Sequence, residues 1–342
     1  MKSMRGLALL LTVTICTLGA CGKQKDDQRE SKKAEKITLT NVSYDPTREL
    51  YEAYNQAFRK HWKETTGQEV EITQSHGGSG KQALEVANGL PADVVTLALE
   101  YDITSIEKAG LIEKGWMDEY EDDSAPYTST IVFLVRKDNP RNIRDWDDLI
   151  WDDVKIITPN PKTSGGARWN YLAAWAFAEQ KYGEDQTQIK NFMKKLYQNV
   201  LVLDSGARGS TTSFVENGQG DVLIAWENEA YLSTRDSDDF EIITPSVSML
   251  AQPSVAVVDE VVDNHGTREA AEEYLKYLYS DEGQKIAADH YYRPTNSDIL
   301  KEYADVFQTD INLVKIDRFG GWDQAQKEHF SDGGIFDEIY EK

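Results

Sequence analysis

The chain has 342 residues, 59 of them acidic against 37 basic for a formal charge of -22, and is 40% hydrophobic with only 9 prolines. Such a length suits roughly two domains with a sizeable core, and the composition excludes a disordered or collagen-like chain. So negative a chain would repel a phosphate backbone, which argues against a nucleic-acid partner.

In chain order the first feature is an export signal. Lys2 and Arg5 precede an apolar stretch, residues 6–18, that is too short to span a bilayer comfortably. It leads into Leu18-Gly19-Ala20-Cys21, which is similar to the lipobox of bacterial lipoproteins, where the Cys is acylated and becomes the new N-terminus. A diacylglyceryl group supplies more than one chain, enough for stable membrane attachment. Cys16 and Cys21 are the only cysteines. Loss of the signal and acylation of Cys21 would leave no disulfide even in an oxidising compartment, so packing alone must hold the fold. Residues 22–36 contain no large apolar side chain and are predicted to be a flexible tether.

From residue 37 onward short apolar runs alternate with amphipathic patterns, which predicts an α/β fold. Strands are predicted over 37–42, 70–73, 93–97, 130–135, 155–158, 200–203, 221–225, 241–244 and 254–258. Helices are predicted over 47–64, where Leu50, Tyr54, Phe58 and Trp62 recur at a spacing of four, and over 83–88, 103–109, 167–180, 188–197 and 269–279.

The junctions between strands and helices carry the chemistry. Five of them hold small, hydroxyl, Gly-rich or donor-bearing residues: Ser43-Tyr44-Asp45-Pro46, Ser75-His76-Gly77-Gly78-Ser79-Gly80-Lys81, Thr163-Ser164-Gly165-Gly166-Ala167, Ser205-Gly206-Ala207-Arg208-Gly209-Ser210-Thr211 and Ala225-Trp226-Glu227. In an open α/β sheet ligands sit beyond the carboxyl ends of the strands, where helix N-termini present unpaired N–H groups and a partial positive charge. Several such junctions converging would form an anion site without any net positive charge.

Rival chemistries lack their residues. A phosphate loop ending in Gly80-Lys81 needs Gly at 75 and Ser or Thr at 82, where this chain has Ser75 and Gln82. No nucleophile elbow surrounds Ser79, and neighbouring Ser75 and His76 point to opposite faces of an extended chain. His61, His76, His265, His290 and His329 show no metal-ligand spacing, so neither a metal nor another cofactor is expected. Taken singly, each Gly-rich stretch is equally a tight turn or a helix cap. Trp226 reads first as core packing, with an indole N–H that wants a partner when buried.

Together these segments resemble the signature stretches of the bacterial sulfate- and thiosulfate-binding proteins, the extracytoplasmic receptors of sulfate-importing ABC transporters. The likeness runs through 41–49 (NVSYDPTRE), 75–82 (SHGGSGKQ), 159–170 (PNPKTSGGARWN), 203–211 (LDSGARGST), 225–229 (AWENE), 291–294 (YYRP) and 319–322 (FGGW). It implies a two-lobed periplasmic-binding-protein fold of the second type, with residues 37–125 and 254–342 as one lobe and 126–253 as the other. It further implies a monomer without catalytic activity, which binds sulfate or thiosulfate and delivers it to an ABC permease. By matching motif, the donors would be the main-chain N–H of Asp45, Ser79, Gly165, Gly166 and Ala207, the Ser164 hydroxyl and the Trp226 indole N–H, with Lys81 and Arg208 in supporting roles. Two alternatives stand beside it: a receptor for molybdate, tungstate or phosphate, and a lipid-anchored hydrolase using Ser164 or Ser79, for which no base lies at recognisable spacing. The lipobox departs from the better-known relatives, which are free in the periplasm, and places the expected location outside the cytoplasm with an anchor at Cys21.

Overall fold

The computed structural model describes residues 36–235 and 237–340. The export signal, the lipobox with Cys21 and nearly all of the tether lie outside the described residues. No helix among the described residues is long and apolar enough to cross a membrane.

The chain first builds β1 (Ile37–Tyr44), β2 (Val70–Gly77) and β3 (Val94–Leu97), separated by helices, then crosses through β4 (Tyr127–Thr128). It lays down β5 (Ile131–Arg136), β6 (Ile156–Pro159), β7 (Val200–Asp204), β8 (Val222–Trp226) and β9 (Phe240–Ile243), and returns through β10 (Val247–Met249) to β11 (Ser254–Val257). The first sheet has the order β11-β3-β1-β2 and the second β7-β6-β8-β5-β9. β12 (Arg293–Pro294) pairs with β4, and Ser129 bridges Ala251, so the crossings lie side by side. Every strand read from the sequence forms, with ends within a residue or two except that β2 runs four residues past its expected end, and the fold is the two-lobed α/β architecture that the resemblance implies.

Parallel pairing decides where the junctions emerge. β1 runs parallel to β2 from Ile37 opposite Val70 to Tyr44 opposite Gly77, so the loops that follow leave the sheet at one level. β6 runs parallel to both β7 and β8, with Pro159 opposite Asp204, which brings the loops after all three to one edge. These edges are the carboxyl ends where a ligand is expected.

The helix Arg48–Thr66 buries Leu50, Tyr54, Phe58 and Trp62, the face read at a spacing of four, against the first sheet. Gly165–Tyr182 is buried on nearly all sides between the second sheet and its surroundings, which suits its uniformly apolar middle. The last segment goes where the sequence reading did not place it. β13 (Asn312–Val314) pairs with β10, and Trp322, Phe330 and Phe336 pack edge-on against Trp169, Tyr171 and Tyr197 of the second sheet's helices. Lys162 fastens this segment by donating to the carbonyls of Phe330 and Ser331, both at 3.0 Å, and to Asp337.

His329 sits in that contact, buried, with Nδ1 3.1 Å from the Tyr171 hydroxyl and its ring 4.6 Å from Trp175. Burial, aided by Lys190, pushes its pKa from 6.5 down to about 4. The folded state then binds fewer protons than the unfolded one between those values, so the stability His329 contributes is intact at neutral pH and lost as pH falls towards 4. The loss amounts to at most about 3 kcal/mol. In urea unfolding, the stability gap between wild type and His329→Gln is expected to shrink by about 2 kcal/mol between about pH 7 and about pH 4.5. A gap that does not change with pH would place the ring in contact with water.

Candidate functional site

Each junction is shaped by its own residues. β1 ends at Tyr44 and turns through a single 3-10 turn, Asp45–Thr47, in which Pro46 supplies a preset φ and Thr47 Oγ1 donates to Tyr44 O at 2.7 Å. After β2, Gly78 caps the helix Ser79–Ala87, so Ser79 opens it. After β6, Ser164 caps Gly165–Tyr182 by accepting from Ala167 N at 3.3 Å, which leaves its hydroxyl hydrogen free to donate elsewhere. After β7, Gly206 caps Ala207–Thr211. Ser79, Gly165, Gly166 and Ala207 therefore occupy first or second positions of helices, where the backbone N–H has no partner within the helix.

The five junctions meet. A Cβ on Gly78 would lie 3.0 Å from Thr163 O, one on Gly165 3.0 Å from Ser79 Cβ, and one on Gly206 3.2 Å from Asp45 Oδ2. Trp226, at the end of β8, is buried, and its indole nitrogen donates to Gly166 O at 3.1 Å while its ring lies 5.5 Å from Tyr44. Within the second sheet's edge, Asn160 N donates to Asp204 O at 2.7 Å and Thr163 Oγ1 to Ser205 O at 2.9 Å, which locks two of the loops together. All seven donor residues named from the sequence thus gather at one place, contributed by both sheets. Gly suits position 165 because a Cβ there would be crowded on three sides, so that a larger residue fits only if its neighbours shift.

Cations stand around this place but are each paired with carboxylates. Arg168, buried, lies 3.3 Å from Asp102, which is buried as well and also accepts from Ser79 Oγ at 2.5 Å. Arg208 lies 2.8 Å from Glu49 and 3.1 Å from Glu229, and Lys81 3.6 Å from Glu85 with its head in solvent. Burial pushes the Asp102 and Glu229 carboxyls above the ordinary carboxylate range, against the pull of Arg168 and Arg208 respectively. His76 is driven down to about 4 by burial and the nearby Arg48, so it is neutral at physiological pH. At the centre the helix starts present neutral N–H dipoles that have no partner within their helices.

The sequence reading missed Asp102 and Leu99, which lie outside the motifs, and gave no role to Trp169 inside one of them, whose indole N–H donates to Ala98 O at 2.9 Å across from the other sheet. No spacing signals them, because each meets its partner only through tertiary packing. Among the described residues no group of His, Asp or Glu is placed to hold a metal ion.

The geometry agrees with what the chain resembles. The family model for bacterial extracellular solute-binding proteins matches residues 39–293. The sulfate-binding protein of Escherichia coli is 62% identical over 309 residues, covering 90% of this chain and 94% of that one. The thiosulfate-binding protein of Pseudomonas aeruginosa is 49% identical over 306 residues, covering 88% and 92%. Among solved structures, the sulfate-binding protein SubI from Mycobacterium tuberculosis superposes with a TM-score of 0.78 at 32% identity, covering 85% of this chain and 98% of that one.

Proposed function

The chain belongs to the bacterial sulfate- and thiosulfate-binding proteins, and from that premise we propose that it is an extracytoplasmic receptor that captures sulfate or thiosulfate and hands it to an ABC importer. The observation that carries this reading is the convergence of five donor-bearing junctions at a place where every nearby cation is already paired. A fully deprotonated dianion presents only acceptors, and a seat made only of donors satisfies it. The donors are the N–H groups of Asp45, Ser79, Gly165, Gly166 and Ala207, the Ser164 hydroxyl, and the Trp226 indole, which shares its hydrogen with Gly166 O. At about 1.5 to 3 kcal/mol for a hydrogen bond to a charged group, seven give on the order of 10 to 20 kcal/mol gross. Dehydration of the ion and ordering of the protein take back part of that, which leaves room for micromolar binding or tighter.

The anion would act as a bridge. The lobes follow the sheets, with residues 37–125 and the return from 254 on one side and 126–253 on the other; the segment from Asn312 joins the second, since its apolar side chains pack there. Asp45 and Ser79 then belong to one lobe and the other five donors to its partner, so occupancy favours the closed state that a permease can recognise. A lipid on Cys21 would hold this receptor at the membrane surface, and Cys21→Ser should move it from the membrane to the soluble fraction of its host.

Titration calorimetry of the purified protein with sulfate and thiosulfate, followed in parallel by tryptophan emission, tests the reading. Saturable binding with no chemical change in the ligand is expected, together with a rise in unfolding temperature. Trp226→Phe should weaken binding by about tenfold and remove most of the emission change. Absence of binding to both anions would sink the proposal.

A further inference from the structure

The two sides of the site approach one another more closely than hydrogen bonding requires. A Cβ on Gly165 would fall 2.6 Å from Leu99 Cδ2, 3.0 Å from Ser79 Cβ and 3.0 Å from Asp102 Oδ2. Two of these neighbours are held in place by polar bonds. Ser79 Oγ donates to Asp102 and accepts from Ala98 N at 3.0 Å, while Asp102 is paired with Arg168. Leu99 is the third, fully buried at the N-cap of Glu100–Lys108. It follows the first sheet's β3, yet it belongs to the apolar cluster that also holds Trp169 and Trp226. Van der Waals contact, which is steep and does not stretch, therefore fixes the distance between the wall carrying Ser79 and the wall carrying Gly165.

We propose that Leu99 is a specificity-determining residue: by closing on Gly165 it sets the width of the seat to a tetrahedral oxyanion of sulfate's size and works against larger ones such as molybdate. This rests on the anion-binding reading above. An ion with longer bonds to its oxygens holds the N–H groups of Ser79 and Gly165 further apart. The apolar contact between Leu99 and Gly165 forms in full around the smaller ion and is forfeited around the larger. A contact made with one ligand and not with its competitor is the difference in free energy that selectivity consists of. Leu99 touches neither ion; it acts by setting the separation of groups that do.

The test compares sulfate and molybdate on wild type, Leu99→Ala, Leu99→Val and Gly165→Ala by calorimetry, with weak molybdate binding measured by competition. Sulfate binding to wild type tests the anion-binding reading by itself, and the variants test Leu99. Leu99→Ala is expected to lower sulfate affinity by about tenfold and to change molybdate affinity by less than about twofold, so that the preference for sulfate contracts. Leu99→Val should fall between, and it keeps the comparison available should the alanine variant fail to fold. Gly165→Ala, whose methyl wedges the walls apart, should contract the preference further. Equal loss of both anions in the Leu99 variants, or no change in either, overturns the proposal. The unfolding temperature of each variant without anion separates a selectivity effect from a damaged fold.

Discussion

Phosphate is expected to bind about ten- to a hundredfold more weakly than sulfate near neutral pH, with the gap widening as pH falls towards 6. The two ions are alike in shape and differ in their protons. Sulfate carries none, whereas phosphate keeps one at neutrality and gains a second in mild acid. A seat of donors has nowhere to put an O–H, which stays buried without an acceptor at a cost of about 1 to 3 kcal/mol per proton. Three carboxylates near the seat are engaged already: Asp102 by Ser79 and Arg168, Glu229 by Thr211 at 2.8 Å and by Arg208, Glu49 by Arg208. His76, with its pKa near 4, adds no charge in this window, so sulfate affinity should stay flat while phosphate affinity declines. Competition titrations at about pH 8 and about pH 6 measure both slopes. Phosphate competing as well as sulfate would mean that a carboxylate accepts its proton. Asp45, half-buried beside Gly206, would be the first to replace.

The parts of this site that the sequence announces are those whose physics is local. A strand ending in a capped, small-residue helix start is written in consecutive residues, and so the junctions that hold Ser79, Ser164 to Gly166, Ala207 and Trp226 stand out in the sequence, while the donor role of each residue is what the family resemblance implies. Alternating apolar runs placed the strands for the same reason. The helix expected from residue 83 begins at Ser79 because its first turn, Ser79 to Gln82, holds no apolar residue to set a period, although the free N–H groups of that turn are what the site uses. Pairings between distant segments leave no such trace. Asp102 and Arg168 are 66 residues apart, as are Glu227 and Arg293, and a charged residue met in isolation reads as solvated surface. The segment from Asn312 misled for a related reason. Its aromatic residues require a hydrophobic partner, but composition alone does not say which sheet's helices will provide it.

Replacing Arg293 by Met is expected to cost about 3 to 5 kcal/mol of stability, the largest loss foreseen for any single side chain outside the seat. Arg293 donates from Nε and Nη2 to the two oxygens of Glu227 at 2.7 and 2.8 Å, and from Nη1 to Gln308 O at 2.7 Å, with both charged partners all but sealed from water. Without the guanidinium the Glu227 carboxylate would be buried and unpaired. Burial already pushes its pKa up against the pull of Arg293, and loss of that pull pushes it further. A raised carboxyl pKa means that the folded variant holds a proton the unfolded chain gives up, so its stability is greatest in acid and falls as pH rises through the folded-state value. The deficit relative to wild type should therefore be smaller at about pH 5 than at about pH 8 in urea unfolding, and Glu227→Gln combined with Arg293→Met should recover much of it. A deficit below about 1 kcal/mol that ignores pH would mean that water reaches the pair. The effect should also extend to binding. Glu227 follows Trp226 in the chain, while Arg293 lies in β12, which pairs with β4 at the crossing between the sheets. The ion pair thus ties the strand end that presents the indole to the segment about which the lobes would move. Sulfate affinity should drop more in the single variant than in the double one, because an unpaired charge would drag Trp226 out of place and a neutral amide would not.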